Sequence, residues 1–177
     1  MAAMSTQEDS DPERFRWLTE GNARQARKRV SAKVVICDEG GRILLVNPTY
    51  KQYWDLPGGM AEANESPIAA AVREVAEELG FTAQIGGLLL VDWVGAHGPW
   101  DDLLVFVFDG GTVGGEDVRR MSVTDEELSE FAFFSPDAAE ARLRPDMWSK
   151  LCRAVAAKRV GVVSYEEFVE VGRNDRQ

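Results

Sequence analysis

A chain of 177 residues with 45% apolar side chains is long enough for one domain with a packed core and short extensions, and too apolar to be disordered. Thirty Asp and Glu against 20 Lys and Arg leave a net charge of -10, which argues against non-specific binding to nucleic acid or to an anionic membrane. The cysteines, Cys37 and Cys152, match no zinc spacing, one His builds no His-based metal site, and MAAMSTQEDSDPERF holds no apolar run; the expectation is a reduced, cytoplasmic protein without signal peptide or membrane span.

Residues 1–29 read as a polar, partly helical N-terminal extension. Its basic run, Arg24, Arg27, Lys28 and Arg29, suits a solvated face or connector; contact with a phosphate or a partner is the weaker reading. KVVICD and RILLVN, separated by Glu-Gly-Gly, predict a β-hairpin. YWDLPGG follows as a short extended segment. Ser66 and Pro67 then supply an N-cap and first-turn pair, and Gly80 a C-terminal stop, so a helix is predicted between them. FTAQIGGLLLVDWV and DLLVFVFDG predict two more strands, joined by the loop GAHGPWD with the single His, His97. FAFFSP predicts another strand. Ser135-Pro136 opens a short helix, a second runs from about Pro145 to Arg159, and Ser164 with Glu167 has the spacing of a capping box for a last one. The order predicts an α/β domain over residues 30–160, a mixed β-sheet with helices on both faces, and a C-terminal helical tail over 161–177 on or near it.

The helix before Gly80 holds the informative pattern. At about 100° per residue, Ile68, Val72, Val75 and Leu79 fall in one stripe, which is expected to face the core. Glu74, Glu77 and Glu78 share another face, where like charges cost a few tenths of a kcal/mol per pair. Glu77 and Glu78 also sit at the negative end of the helix dipole, which is unfavourable by roughly 0.3–1 kcal/mol each. Stability alone would place Lys or Arg there, and Arg73 is the one nearby cation in the sequence. A solvated acidic face would account for the glutamates in isolation. Gly58 and Gly59, which permit sharp bending and close approach, together with the stiffening Pro57 and the carboxylate of Glu65, shift the balance. Together they form a cup of oxygen donors suited to Mg²⁺ or Mn²⁺ rather than zinc.

Gly59, Glu65, Arg73, Glu74, Val75, Glu77, Glu78, Gly80 and Phe81 stand at the spacing of the Nudix box and fill every position of it. The segment therefore resembles that of the Nudix hydrolases, and Trp54-Asp55-Leu56-Pro57-Gly58-Gly59 resembles the family's usual approach to the box. The resemblance implies a Nudix-type α/β/α sandwich and metal-dependent hydrolysis of a phosphoanhydride in a nucleoside diphosphate linked to another group. It implies Glu77 and Glu78 as principal metal ligands, Glu74 as a further ligand or as the base that activates water, and the Gly58 carbonyl as another ligand. Arg73 would hold a carboxylate in place, and Glu65 would brace the loop or Arg73. One more acidic ligand often comes from a later loop; Asp125, Glu126 and Glu127 are candidates, Glu127 first, although Thr124 and Glu127 also have capping-box spacing.

The substrate is less constrained. A proline shortly downstream of the box resembles ADP-ribose hydrolases, and a tyrosine slightly further on resembles dinucleoside polyphosphate hydrolases. Here Gly95, Ala96 and His97 occupy that zone, Pro99 falls late and no tyrosine occurs. A nucleoside triphosphate, modified or not, is the default. The alternatives are an ADP-ribose or nucleotide-sugar hydrolase, a nucleotide-sensing module without turnover, and a scaffold whose acidic helix serves solubility. Trp100 is the candidate for stacking on a base, worth about 1–3 kcal/mol. Tyr53 and Trp54 are candidate pocket walls, with packing equally open for Trp54. Trp93 reads as core and His97 as a surface loop residue. Family habit suggests a homodimer.

Overall fold

The computed structural model describes residues 11–168. Helix α1 (Pro12–Ala23) starts at Asp11, whose Oδ1 accepts from the Glu13 N–H at 3.0 Å, and buries none of its residues. Strands β1 (Arg29–Asp38) and β2 (Ile43–Pro48) form the predicted hairpin. Helix α2 (Pro67–Leu79) is followed by β3 (Leu88–Val94), β4 (Leu103–Val113) and a short helix α3 (Gly115–Arg120). Then come β5 (Leu128–Phe134), α4 (Pro136–Glu140), α5 (Pro145–Val160) and β6 (Ser164–Phe168).

The six strands make one mixed sheet in the order β5-β2-β1-β4-β3-β6, parallel at β1/β4 and β3/β6 and antiparallel elsewhere. Side chains alternate across it. Val34, Ile36, Leu44 and Val46 pack with Ala71, Val75 and Leu79 of α2. Val35, Leu45, Leu90 and Val107 pack on the other face with Leu151 and Ala154 of α5. Both faces are covered, which is why the central strands read as continuous apolar runs. Each of these buried Val, Leu and Ile side chains contributes about 1.5–3 kcal/mol.

Helix α2 begins and ends where its caps predict. Ser66 Oγ accepts from the Ala69 N–H at 3.2 Å, and Gly80 closes the helix at φ 58°. The buried face, however, comprises Ala70, Ala71, Val75, Glu78 and Leu79, and Ile68 is exposed. The small alanines make the close contact in the first turns, which leaves Ile68 outside and turns Glu78 inward.

Two other expectations change. Residues 81–87 have no regular structure, so β3 starts only at Leu88. The helix expected from Ser164 and Glu167 is instead strand β6: residues 164–168 pair in parallel with Leu90–Val94. The open backbone groups along the edge of β3 outweigh a local capping signal. The remainder of the expected C-terminal tail lies outside the described residues. Among the described residues no helix is long and apolar enough to cross a membrane.

Candidate active site

The segment from Asp55 to Ala61 is stitched along β1 and β2. Val46 and Asp55 exchange backbone hydrogen bonds of 2.9 Å, and the Val34, Ala32 and Ala61 N–H groups bond Pro57 O, Gly59 O and Val30 O at 3.0, 2.9 and 2.9 Å. This close approach needs glycine. Gly58 has φ +118°, and a Cβ there would lie 2.2 Å from the Ala32 carbonyl oxygen. A Cβ at Gly59 would lie 2.5 Å from the Glu74 carboxylate carbon.

Helix α2 delivers its carboxylates against this loop. Glu78, only 8% exposed, accepts the Gly58 N–H at 2.9 Å through Oε2. Burial pushes its carboxyl up to about 7, although Lys33 and the Gly58 N–H pull the other way. Glu74 is also raised, by burial foremost, against the opposing pull of Arg73. Arg73 ties the cluster together. Its guanidinium donates to both Glu65 oxygens at 2.9 Å, to Glu74 at 2.9 Å, to Glu77 at 2.8 Å and to the Met60 carbonyl at 3.0 Å. The Arg73 hydrogen bonds, with the Glu62 N–H, hold Glu65 down at about 2.

A cavity of about 220 Å³ collects Gly58, Gly59, Glu74, Glu78, Asp125 and Glu127, together with Lys33, Lys51 and Asp55. Asp125 and Glu127 arrive because the preceding loop closes the end of α2. The Ser122 and Thr124 N–H groups bond Leu79 O and Glu78 O, and Thr124 Oγ1 donates to Glu77 O at 2.6 Å. No helix follows Thr124; Asp125 Oδ1 instead accepts from the Glu127 N–H at 2.8 Å.

Other candidates stand elsewhere. Glu77 is turned to Arg73 and lies outside this lining. Tyr53 and Trp54 border a separate cavity of about 160 Å³, and Trp54 packs edge-on against Phe134 with centroids 4.9 Å apart. Trp100 is exposed under the Arg29 guanidinium, 4.7 Å from its ring centre; Arg29 also lies 4.0 Å from the sulfur of Met60, a cavity-lining residue. Half-buried Trp93 donates to Asp102 at 3.0 Å, and His97 Nδ1 is 3.0 Å from the Gly95 carbonyl. A larger cavity of about 490 Å³ opens between α5 and β6, but several of its acidic groups are committed to ion pairs, Asp92 and Asp146 with Lys150 and Glu166 with Arg153.

Sequence reasoning missed Lys33. Its ammonium donates to Asp55 and to the Leu56 carbonyl, each at 3.2 Å, and to the Gly58 carbonyl. The signal available was a lone lysine inside an apolar strand, followed by an aspartate in the approach to the glycines. Burial alone would lower the Lys33 pKa; Asp55 and Glu78 outweigh it and raise it.

The donors around the cavity are oxygens, the chemistry a hard divalent cation takes. Among the described residues no three acidic, His or Cys side chains already close around one point. Glu74 and Glu77 are held by Arg73, so a cation that used them would draw them from the guanidinium.

The NUDIX domain model matches residues 27–153. The chain belongs to the Nudix hydrolase family. This Nudix chain is 31% identical over 114 residues to a MutT-like protein of Streptomyces ambofaciens, covering 64% of the chain and 68% of that relative. A Bacillus subtilis (strain 168) protein, provisionally named an 8-oxo-dGTP diphosphatase, is 44% identical over 54 residues. That match spans 30% of the Nudix chain and only 36% of the Bacillus protein. Among solved structures, a UDP-X diphosphatase superposes with a TM-score of 0.65 at 22% identity, over 89% of this chain and 76% of that one, a likeness of fold.

Proposed function

We propose that this Nudix chain is a divalent-metal-dependent pyrophosphohydrolase that cleaves a phosphoanhydride in a nucleoside triphosphate or modified nucleotide, with residues 30–160 as its catalytic unit. The observation that carries the reading is the burial of Glu78 against the Gly58 amide, in one cavity with Glu74 and Glu127. A stable fold does not otherwise place carboxylates there, because burying them uncompensated is unfavourable.

In this reading Mg²⁺ or Mn²⁺ supplies charge neutralisation for the phosphates and acidifies bound water. Glu78, Glu127 and the Gly58 carbonyl, which has a second lone pair besides the one that accepts from Lys33, would hold it, and Glu77 would join them only by giving up its bond to Arg73. Glu74 completes the ligand set or takes the proton of the attacking water. Arg73 and Glu65 set the carboxylates' positions from behind. Exposed Trp100, with Arg29 over one face, is the stacking platform for the base, and Tyr53 and Trp54 would hold the substrate from the neighbouring cavity, which shares Lys51 and Asp55 with this one. The partial match to the Bacillus protein provisionally named an 8-oxo-dGTP diphosphatase supports the triphosphate class. A cytoplasmic location and a homodimer belong to the same reading, the first supported by two free thiols.

The test is a panel of nucleoside triphosphates, ADP-ribose, nucleotide sugars and dinucleoside polyphosphates with Mg²⁺, monitoring phosphate and pyrophosphate. Turnover of a triphosphate, abolished by EDTA, is expected. Nucleotide binding without turnover of any compound would replace the enzyme with a sensing module, a reading favoured by the hold of Arg73 on Glu74 and Glu77.

A further inference from the structure

We propose that Lys51, oriented by the buried Asp55, is the residue that grips the diphosphate oxygens left uncovered by metal; this rests on the pyrophosphohydrolase reading. Two lysines meet one aspartate in the cavity. Asp55 Oδ2 accepts from Lys33 at 3.2 Å and from Lys51 at 2.6 Å, while its Oδ1 accepts from the Leu56 N–H at 2.8 Å. Both carboxylate oxygens are thus fixed, and Asp55 is itself buried. The trio carries one net positive charge inside an otherwise acidic cavity of a chain with net charge -10.

The two lysines are not equivalent. Lys33 commits its three N–H donors to Asp55, Leu56 O and Gly58 O, so it has none left for a ligand. Lys51 spends one on Asp55, and its other contact is the face of Tyr50, 5.6 Å from the ring centre. Its side chain is 38% exposed and lines the same cavity as Glu74, Glu78 and Glu127. Two donors on a pinned ammonium therefore remain for an anion beside the carboxylates. Both lysines neutralise Asp55, and Lys33 still bonds it when Lys51 is replaced, so Lys51 is the one of the pair with donors to turn to a ligand. A charge-assisted hydrogen bond from such an ammonium suits a phosphoryl oxygen.

The experiment uses imidodiphosphate, a diphosphate that is not cleaved, titrated calorimetrically with Mg²⁺ into the full chain, into Lys51→Met and into Lys51→Arg. Mn²⁺ binding without the anion is followed by electron paramagnetic resonance. Lys51→Met is expected to weaken imidodiphosphate about tenfold or more, with Lys51→Arg recovering most of the loss. Mn²⁺ affinity and melting temperature should stay close to those of the parent chain. Unchanged imidodiphosphate affinity in Lys51→Met overturns the inference, as does a loss accompanied by an equal loss of Mn²⁺ binding and melting temperature, or no binding by the parent chain. Lys51-dependent binding in a chain that turns over no nucleotide upholds this inference and overturns the pyrophosphohydrolase reading instead.

Discussion

Charged Glu78 has a single backbone N–H as its hydrogen-bond partner and is almost wholly withdrawn from water. Its carboxyl ionises at about 7 when folded, against an ordinary 4.5. The folded chain therefore holds a proton that the unfolded chain has lost across that window. Stability of the metal-free protein should fall as pH rises from about 4.5 to about 7 and level off above, by on the order of 3 kcal/mol. In EDTA, Glu78→Gln should melt several degrees above the parent at pH 8 and alongside it at pH 4.5. With Mg²⁺ the same variant should lose more than about a hundredfold in kcat; retained kcat would remove Glu78 from the site. The two glycines separate in the same way. Ala at Gly59 meets the end of a flexible glutamate, so Gly59→Ala should keep the melting temperature and lose activity by displacing Glu74. Ala at Gly58 meets the Ala32 carbonyl in a left-handed backbone conformation, so Gly58→Ala should lose stability as well, read by thermal melts of both variants.

At the scale of elements, the acidic last turn of α2 is tolerated because its terminal carbonyls are occupied. Gly80, Ser122 and Thr124 donate to Ala76, Leu79 and Glu78, which offsets part of the end-of-helix penalty. The loop that provides these bonds is the one that carries Asp125 and Glu127 to the cavity, so closing the helix and assembling the acidic site are one event. On the opposite face, Lys150 of α5 lies 3.1 Å from Asp92 of β3, a carboxylate 2% exposed, and 3.2 Å from Asp146. Lys150→Met should strand Asp92 and cost about 3–5 kcal/mol in denaturant unfolding. Adding Asp92→Asn should recover part of that loss; an equal loss in the double variant would show that Lys150 acts through packing alone.

Over the whole molecule, the charge of -10 makes the protein a poor partner for anions unless cations intervene. Millimolar Mg²⁺ should raise the melting temperature by binding the folded chain alone. The rise should be larger at pH 8 than at pH 5, where a proton occupies Glu78. An equal rise at both values would place the ion somewhere other than the buried carboxylate.

The helix ends at Ser66 and Gly80, the β-hairpin, most of the apolar strand residues and the family are legible in the chain alone, because caps, turn glycines and the box spacing are local. The chain alone also locates the carboxylates on one helix. Tertiary packing decided which of them turns inward: alanines rather than Ile68 meet the sheet, so Glu78 is buried while Glu77 stays with Arg73. It made residues 164–168 a strand, because a neighbouring edge offered backbone partners that no local pattern encodes. And it joined Lys33, Lys51 and Asp55, which come from β1, a loop and the glycine approach, into a cationic wall. Coulomb attraction acts through space, and only folding brings those charges within reach.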